Sequence, residues 1–236
     1  HLATQMEKMS SLGRMAAGVA HEINNPLAGI LLFSSNMSKK VDPGSPLEKG
    51  LKIIIRETLR CKSIIQGLLE FARDKPPKKV MADINDVIRT AIGVVENQFY
   101  VRHVSLERHL AQNMVKTPLD KNQVEQVFIN LLLNALHAVE DHGRVSAKSM
   151  LDSEKNQIEI EIADNGCGIS VENVNKIFEP FYTTRTDGTG LGLAVSYGII
   201  ENHRGNIRVS SKLGEGTRFV IDFPILDEIP GGKEDA

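Results

Sequence analysis

The sequence predicts an α+β protein in two parts: an N-terminal helical hairpin that pairs into a dimeric four-helix bundle, then an α/β sandwich. Three observations predict it. Apolar residues recur in sevens through residues 1–75. A charged stretch with two prolines and no apolar period, Asp74-Lys75-Pro76-Pro77-Lys78-Lys79, follows as a linker. From Val80 onward, helical periods give way to period-two runs, the pattern of helices laid on one face of a mostly antiparallel sheet.

In the first part, Leu2, Met9, Ala16, Ile23, Ile30 and Met37 form one apolar line, with Leu12 and Val19 at the complementary seam spacing. This helix is expected from about Leu2 to Lys40, and Val41-Asp42-Pro43-Gly44-Ser45-Pro46 breaks it. A second helix is expected to about Arg73, with Leu47, Leu51, Ile54, Thr58, Cys61, Ile65, Leu68 and Ala72 on its seam. Ile55 and Leu69 widen that stripe. Two antiparallel helices cannot bury two such stripes against each other alone, whereas two hairpins can, so a homodimer through residues 1–75 is expected. The alternative is a long hairpin lying on its own second domain.

The second part is expected at 81–228, after a linker at 76–80, with 229–236 a loose tail. Ile84 to Phe99 reads as a helix and Val101 to Leu110 as a strand. Asp120 caps a helix to about Val139 whose apolar face is Val124, Val127, Phe128, Leu131, Leu132, Ala135 and Val139. Arg144–Met150 and Gln157–Ala163 read as an antiparallel pair, with Ile158, Ile160 and Ile162 inward and Glu159 and Glu161 outward. Ala194–His203 is a short helix, and Asn206–Ser211 with Thr217–Phe223 a hairpin around Gly214-Glu215-Gly216.

Composition excludes several classes. A formal net charge of -2 over 236 residues gives no support for nucleic acid or an anionic membrane as the main partner. The 2 cysteines, Cys61 and Cys167, have no metal-like spacing around them and read as reduced thiols. There is no apolar run near the ~20 residues of a membrane span and no signal-peptide pattern. The expected setting is cytoplasmic, with membrane attachment only through parts outside this chain. The chain opens with a helical pattern already under way at His1 and is expected to be a piece of something longer.

Four stretches carry candidate chemistry. On the first helix, His21 falls two residues before Ile23, turned from the seam, and Asn25 shares its face four residues later. Pro26 crowds the carbonyl of Glu22, so a bend is expected there. Alone, an exposed histidine is also an ordinary solvated side chain. Asn130 and Asn134 present two amides on one helix face, hard ligands suited to a Mg²⁺ that keeps waters and shares phosphates. Alone, such a pair is also plain polar helix surface. Asp164-Asn165-Gly166-Cys167-Gly168 puts a carboxylate at a strand end, able to accept from a flat exocyclic amine while the glycines let backbone approach a ring. Alone, it is also a plain turn. Asp187-Gly188-Thr189-Gly190-Leu191-Gly192-Leu193 places a glycine-rich loop at a helix start, a ready phosphate cradle. It is neither a dinucleotide fingerprint nor a Walker loop.

Together these residues resemble the transmitter core of a two-component sensor histidine kinase. His21-Glu22-x-x-Asn25-Pro26 is similar to the family's H box, Asn130-x-x-x-Asn134-Ala135 to the N box, and Asp164-x-Gly166-x-Gly168 to the first glycine box. Phe178-Glu179-Pro180-Phe181 resembles the F box, Gly188-Thr189-Gly190-Leu191-Gly192-Leu193 the second glycine box, and Gly214-Glu215-Gly216-Thr217 the last glycine motif.

The resemblance implies a dimerisation and phosphoacceptor hairpin followed by an ATP-binding domain of the Bergerat fold. Asp164 would read adenine, and Asn134 with Asn130 would hold Mg²⁺. Gly190 and Gly192 would contact phosphates, with Gly188, Thr189, Leu191 and Leu193 in the same box, and Thr217 would lie near the base. Phe178 to Asp187, including Arg185, would form a short lid. His137 faces the phosphates or is simple helix surface. The implied reaction is ATP-dependent phosphorylation of His21, with Glu22 taking the imidazole proton and Mg²⁺ and the glycine loop absorbing charge. Transfer to an aspartate of a response regulator receiver domain comes next. Asn25 would position a water for dephosphorylating that regulator. A rival is an ATP-driven machine like the gyrase, Hsp90 and MutL relatives, which carry a glutamate base where this chain has Asn130. A further alternative is a degenerate or phosphatase-biased kinase that still binds nucleotide.

Overall fold

The structure, a computed structural model, describes residues 22–72, 77–185 and 188–228. His21 and the seam positions before it, residues 74–76 of the linker, Asp187 and the tail from 229 lie outside the described residues. The chain divides into two compact units, His1–Lys75 with Glu179–Gly192, and Pro76–Phe178 with Leu193–Ala236.

In the first unit residues 22–38 form helix α1, which runs through Pro26 without interruption, and Pro46–Ala72 forms helix α2. The turn between them is dictated locally. Ser45 Oγ accepts from the Glu48 amide at 3.1 Å while a Glu48 carboxylate oxygen accepts from the Gly44 amide at 2.6 Å. Each side chain thus satisfies a backbone donor that the helix start leaves open, and Pro46 sits at the first helical position, where its missing N–H costs nothing. Along the seam of α2 the side chains alternate in fate. Leu51 and Thr58 are 5% and 6% exposed, whereas Ile54 between them is 45% exposed, as is Ile30 of α1 at 46%. One hairpin therefore buries part of the α2 stripe and leaves Ile23, Ile30 and Met37 of α1 in solvent.

The second unit is an α-on-β layer. Its strands are β1 (Val80–Asp83), β2 (Ser105–Leu110), β3 (Lys116–Leu119), β4 (Arg144–Asp152), β5 (Gln157–Asp164), β6 (Asn206–Lys212) and β7 (Gly216–Pro224). Its helices are α3 (Ile84–Val101), α4 (Lys121–Ala138), the single turn α5 (Val171–Val174) and α6 (Gly192–Asn202), whose first residue groups with the other unit. The five-stranded sheet has the order β2-β4-β5-β7-β6, antiparallel except for the β2–β4 pair, and β1 pairs with β3 apart from it. Central β5 alternates as expected: Ile158, Ile160 and Ile162 are buried. On the other face Glu161 meets Lys148 at 3.1 Å and Glu159 meets Arg208 at 3.2 Å. The buried face is covered by α3 and α4, and α4 buries every apolar position expected of it and Leu136 besides.

Two differences from the sequence reading have physical causes. The run from Val101 to Leu110 is not one strand. Val101 ends α3, His103 takes a left-handed φ of 53°, and only Ser105–Leu110 is extended. The guanidinium of Arg102 explains the break, since it donates to the carbonyls of Leu136 and Val139 at 2.9 and 3.3 Å and so satisfies the open end of α4. Strands β1 and β3 are absent from the sequence reading. Each has four residues, and Pro118 sits within β3.

At the start of α4 several elements converge. Asp120 Oδ1 accepts from the amides of Asn122 and Gln123, its Oδ2 accepts from the Lys78 amide at 2.8 Å, and its own amide donates to His203 Nε2 at 2.9 Å. His203 Nδ1 is 2.7 Å from the Ile199 carbonyl, so that nitrogen carries the proton and the ring is the neutral tautomer. Burial holds its pKa below the ordinary histidine value, with the Ile199 bond pulling the other way. Beside it, the Lys79 ammonium donates to the Asn202 carbonyl at 2.7 Å, at the C-terminus of α6.

Candidate functional site

The site in the second unit grows from the end of β5. Asp164, its last residue, turns Oδ1 toward two backbone donors, the amides of Gly166 at 2.8 Å and Thr217 at 3.3 Å. Both bonds fall on one oxygen, so among the described residues Oδ2 is left for an incoming donor. Burial pushes this carboxyl above the usual aspartate range, and the two amide bonds pull it back.

The loop after Asp164 is pinned on both sides. The Cys167 amide donates to the Ala138 carbonyl, at the end of α4, at 3.0 Å, and the Cys167 carbonyl accepts from the Gly214 amide at 2.7 Å. Gly168 has φ +69°, and a Cβ there would lie 2.1 Å from the Lys212 carbonyl oxygen. Only glycine fits that approach. Ser211 finishes the tie: its Oγ accepts from the Ile169 amide, donates to the Gly216 carbonyl at 2.8 Å and lies 2.9 Å from Thr217 Oγ1. Thr217 is itself buried.

Helix α4 supplies the amides. Asn130 and Asn134 are half-buried, one turn apart. Asn130 Nδ2 donates to the buried Ser196 Oγ of α6 at 3.0 Å. His137, a turn further on in the last turn of α4, is exposed. Phe178 ends this unit's first stretch, its ring 5.5 Å from that of Tyr197 and 6.5 Å from that of Phe219. Leu193, half-buried, lies in the first turn of α6.

The structure thus brings Asp164, Gly166, Gly168, Thr217, Asn130, Asn134, His137, Phe178 and Leu193 into one unit. Arg185, Gly188, Thr189, Gly190, Leu191 and Gly192 belong to the other. There the Phe181 amide donates to the Gly190 carbonyl at 2.9 Å, and the Gly188 amide to that of Arg185 at 3.3 Å. The Leu191 amide lies 3.4 Å from Thr189 Oγ1, and Leu191 is buried, its Cδ1 3.1 Å from where a Cβ on Gly67 of α2 would stand. Glu22 and Asn25 are exposed on α1.

Sequence reasoning missed three residues here: Ser196, Ser211 and His203. Each has a partner remote in the chain, Asn130, Ile169 and Asp120 respectively, and none stands in a pattern that marks it.

Comparison with known proteins separates this chain from an unrelated α+β layer. The family model described as histidine kinase-, DNA gyrase B- and HSP90-like ATPase matches residues 119–227, and the His Kinase A (phospho-acceptor) domain matches 11–77, the stretch that contains His21. The chain belongs to the two-component sensor histidine kinases. It is a transmitter core of that family, and residues 119–227, most of them in the second unit, match a nucleotide-binding domain. It is 33% identical to the sensor histidine kinase ZraS of Salmonella typhimurium over 220 residues, covering 93% of this chain and 47% of that one. It is 34% identical to the signal transduction histidine-protein kinase AtoS of Escherichia coli over 222 residues, covering 94% of this chain and 36% of that one. The chain therefore spans less than half the length of these relatives. Among solved structures, histidine kinase ThkA in complex with response regulator protein TrrA superposes with a TM-score of 0.70 at 28% identity, covering 94% of this chain and 64% of ThkA.

The donor set also bears on the metal that the family implies. Among the described residues no group of three or more His, Cys, Asp or Glu could hold a metal ion. The amides of Asn130 and Asn134 are too few for an all-protein cage. They fit a Mg²⁺ that arrives with phosphates and keeps its waters.

Proposed function

We propose that this transmitter core takes the γ-phosphoryl group of ATP onto His21 and passes it to an aspartate of a response regulator receiver domain. The carrying observation is that a phosphoacceptor domain enclosing His21 and a nucleotide-binding domain occupy one chain. Residues 1–75 would be the dimerisation and phosphotransfer domain, and the catalytic domain, expected at 81–228, would begin earlier, at Lys78, because Lys78 and Lys79 bond to Asp120 and Asn202 and Val80 opens β1.

In this reading Asp164 accepts the adenine amine on Oδ2 while Gly166 and Gly168 let backbone approach the ring face. Asn134 and Asn130 hold Mg²⁺ through their amide oxygens. Such an ion would supply positive charge against the phosphates of the bound nucleotide. The neutral imidazole of His21 attacks phosphorus with its unprotonated nitrogen, and the P–O bond to the β-phosphate breaks with its electron pair leaving on ADP. The proton on the other ring nitrogen passes to Glu22. Asn130 is already committed to Ser196 and is no base for water, which favours transfer to histidine over ATP hydrolysis.

The dimer is inferred from the exposed half of the hairpin stripe. Ile23, Ile30 and Met37 of α1 and Leu47 and Ile54 of α2 are all exposed in the single chain although they hold seam positions. A second hairpin offers the same side chains in return.

The test is incubation with γ-labelled ATP and Mg²⁺ beside His21→Gln. Label that is acid-labile, alkali-stable and absent from the variant is expected. Label retained by the variant, or resistant to acid, would overturn the assignment.

A further inference from the structure

A side-chain amide is asymmetric: one end donates and the other accepts, and only the oxygen can hold a cation. The terminal torsion of asparagine is broad and roughly two-fold, so its own backbone does little to choose which end faces a ligand. On α4 the choice for Asn130 is made from another helix. Ser196 of α6 is 1% exposed, and its Oγ receives Asn130 Nδ2 at 3.0 Å. With the nitrogen tied down in the protein interior, Oδ1 is the end left over.

We propose that Ser196 is a positioning residue for the metal-bound nucleotide: by accepting the Asn130 amide hydrogen it holds Asn130 Oδ1 in the orientation that a nucleotide-borne Mg²⁺ requires. The inference rests on the reading of Asn130 and Asn134 as cation ligands and deepens it. Four residues on, Asn134 completes the pair on the same helix face. Ser196 itself touches neither metal nor nucleotide. It acts through Asn130, as outer hydrogen-bond partners of metal ligands commonly do, where their loss lowers metal affinity roughly 10- to 100-fold.

The placement of Ser196 also explains a polar group in the core. The buried side of α6 otherwise presents Ala194, Ile199 and Ile200. A hydroxyl there is unfavourable unless it is paired, and Asn130 is the partner that pairs it.

The experiment measures ADP affinity by calorimetry on the whole chain, with Mg²⁺ and again with EDTA, for the wild type, Ser196→Ala and Ser196→Thr, with the melting temperature of each recorded. The wild type is expected to bind more tightly with Mg²⁺. Ser196→Ala is expected to lose roughly tenfold of the Mg²⁺-dependent gain while its affinity in EDTA stays within about twofold, because the adenine contacts at Asp164 are untouched. Ser196→Thr, which keeps the hydroxyl, is expected to restore the gain. A Ser196→Ala loss of equal size with and without Mg²⁺ would reduce Ser196 to a packing role and overturn the proposal, as would an unchanged gain. A wild type that binds no better with Mg²⁺ than with EDTA would instead overturn the reading of the two asparagines as ligands, and the proposal with it.

Discussion

Gly168→Ala tests how the loop after Asp164 is held. The residue sits at φ +69°, where an L side chain costs about 1–2 kcal/mol. The new Cβ would stand 2.1 Å from the Lys212 carbonyl oxygen, 2.7 Å from its carbon and 3.0 Å from Leu213 Cα. All three are backbone atoms, so no side chain can swing away, and the β6–β7 turn must retreat by roughly 1 Å to reach van der Waals contact. That retreat pulls apart the 2.7 Å bond from the Gly214 amide to the Cys167 carbonyl, a loss of about 0.5–1.5 kcal/mol. The sum is about 1.5–3.5 kcal/mol. At roughly 2–4 °C per kcal/mol for a chain of this size, the melting temperature should fall by roughly 3–14 °C. Circular dichroism melts would read it, with ADP binding measured well below the transition and expected to weaken as well. Gly198→Ala is the matched control. It lies inside α6 with nothing within 4 Å of its Cβ position, so the same substitution should stabilise by about 0.5–1 kcal/mol. A Gly168→Ala melt within a degree of the wild type would refute the description of the loop as clamped between α4 and the β6–β7 turn.

Three further outcomes are expected at Asp164, Ile54 and Asn25. Burial raises the Asp164 pKa, so the folded chain holds this proton more tightly than the unfolded one. Its ionisation therefore lowers stability as pH rises from the ordinary aspartate range through the raised value. In the proposed reading the acceptor for adenine is the Asp164 carboxylate, so ADP affinity should weaken on acidification at a higher pH than an unperturbed aspartate would give, and Asp164→Asn should bind weakly with that dependence gone. Binding titrations at several pH values would show it, and a wild-type profile as flat as the variant's would exclude Asp164 as the titrating group. Ile54→Asp should convert a dimer into a monomer by light scattering while the fold of the nucleotide-binding domain persists; an unchanged mass would place the dimer contact elsewhere. Asn25→Ala should spare labelling of His21 and weaken regulator dephosphorylation, and equal loss of both would remove Asn25 from that role.

The sequence disclosed elements whose whole purpose is local. Helix α4 buries a stripe that repeats every three and four residues, and β5 alternates isoleucine with glutamate, so each element announces its own inward face. The glycine boxes were legible for a related reason: where a Cβ would stand 2.1 Å from the carbonyl oxygen of a neighbouring strand, one residue type is available, so Gly168 is forced and visible. Pairings between remote segments were not legible. Strands β1 and β3 are too short to show a period, and each finds its register only in the other, Val80 opposite Leu119. Ser196 and Ser211 are common small polar residues whose significance lies wholly in partners, Asn130 for the first and Ile169, Gly216 and Thr217 for the second. The strand expected to start at Val101 failed because β-branched residues at a helix end look extended, while the arginine that stops the helix is read only by the carbonyls of α4.

The junction at Asp120 bears on how the two halves of such a chain can be separated. By composition, Lys78 and Lys79 are tether. By bonding they are part of the nucleotide-binding domain: the amide of one completes the cap of α4, and the ammonium of the other closes the last turn of α6. An excision at Val80 would strip a donor from Asp120 and uncover the Asn202 carbonyl, at the ends of the two helices that carry Asn130 and Ser196. The natural place to cut lies on the N-terminal side of Lys78.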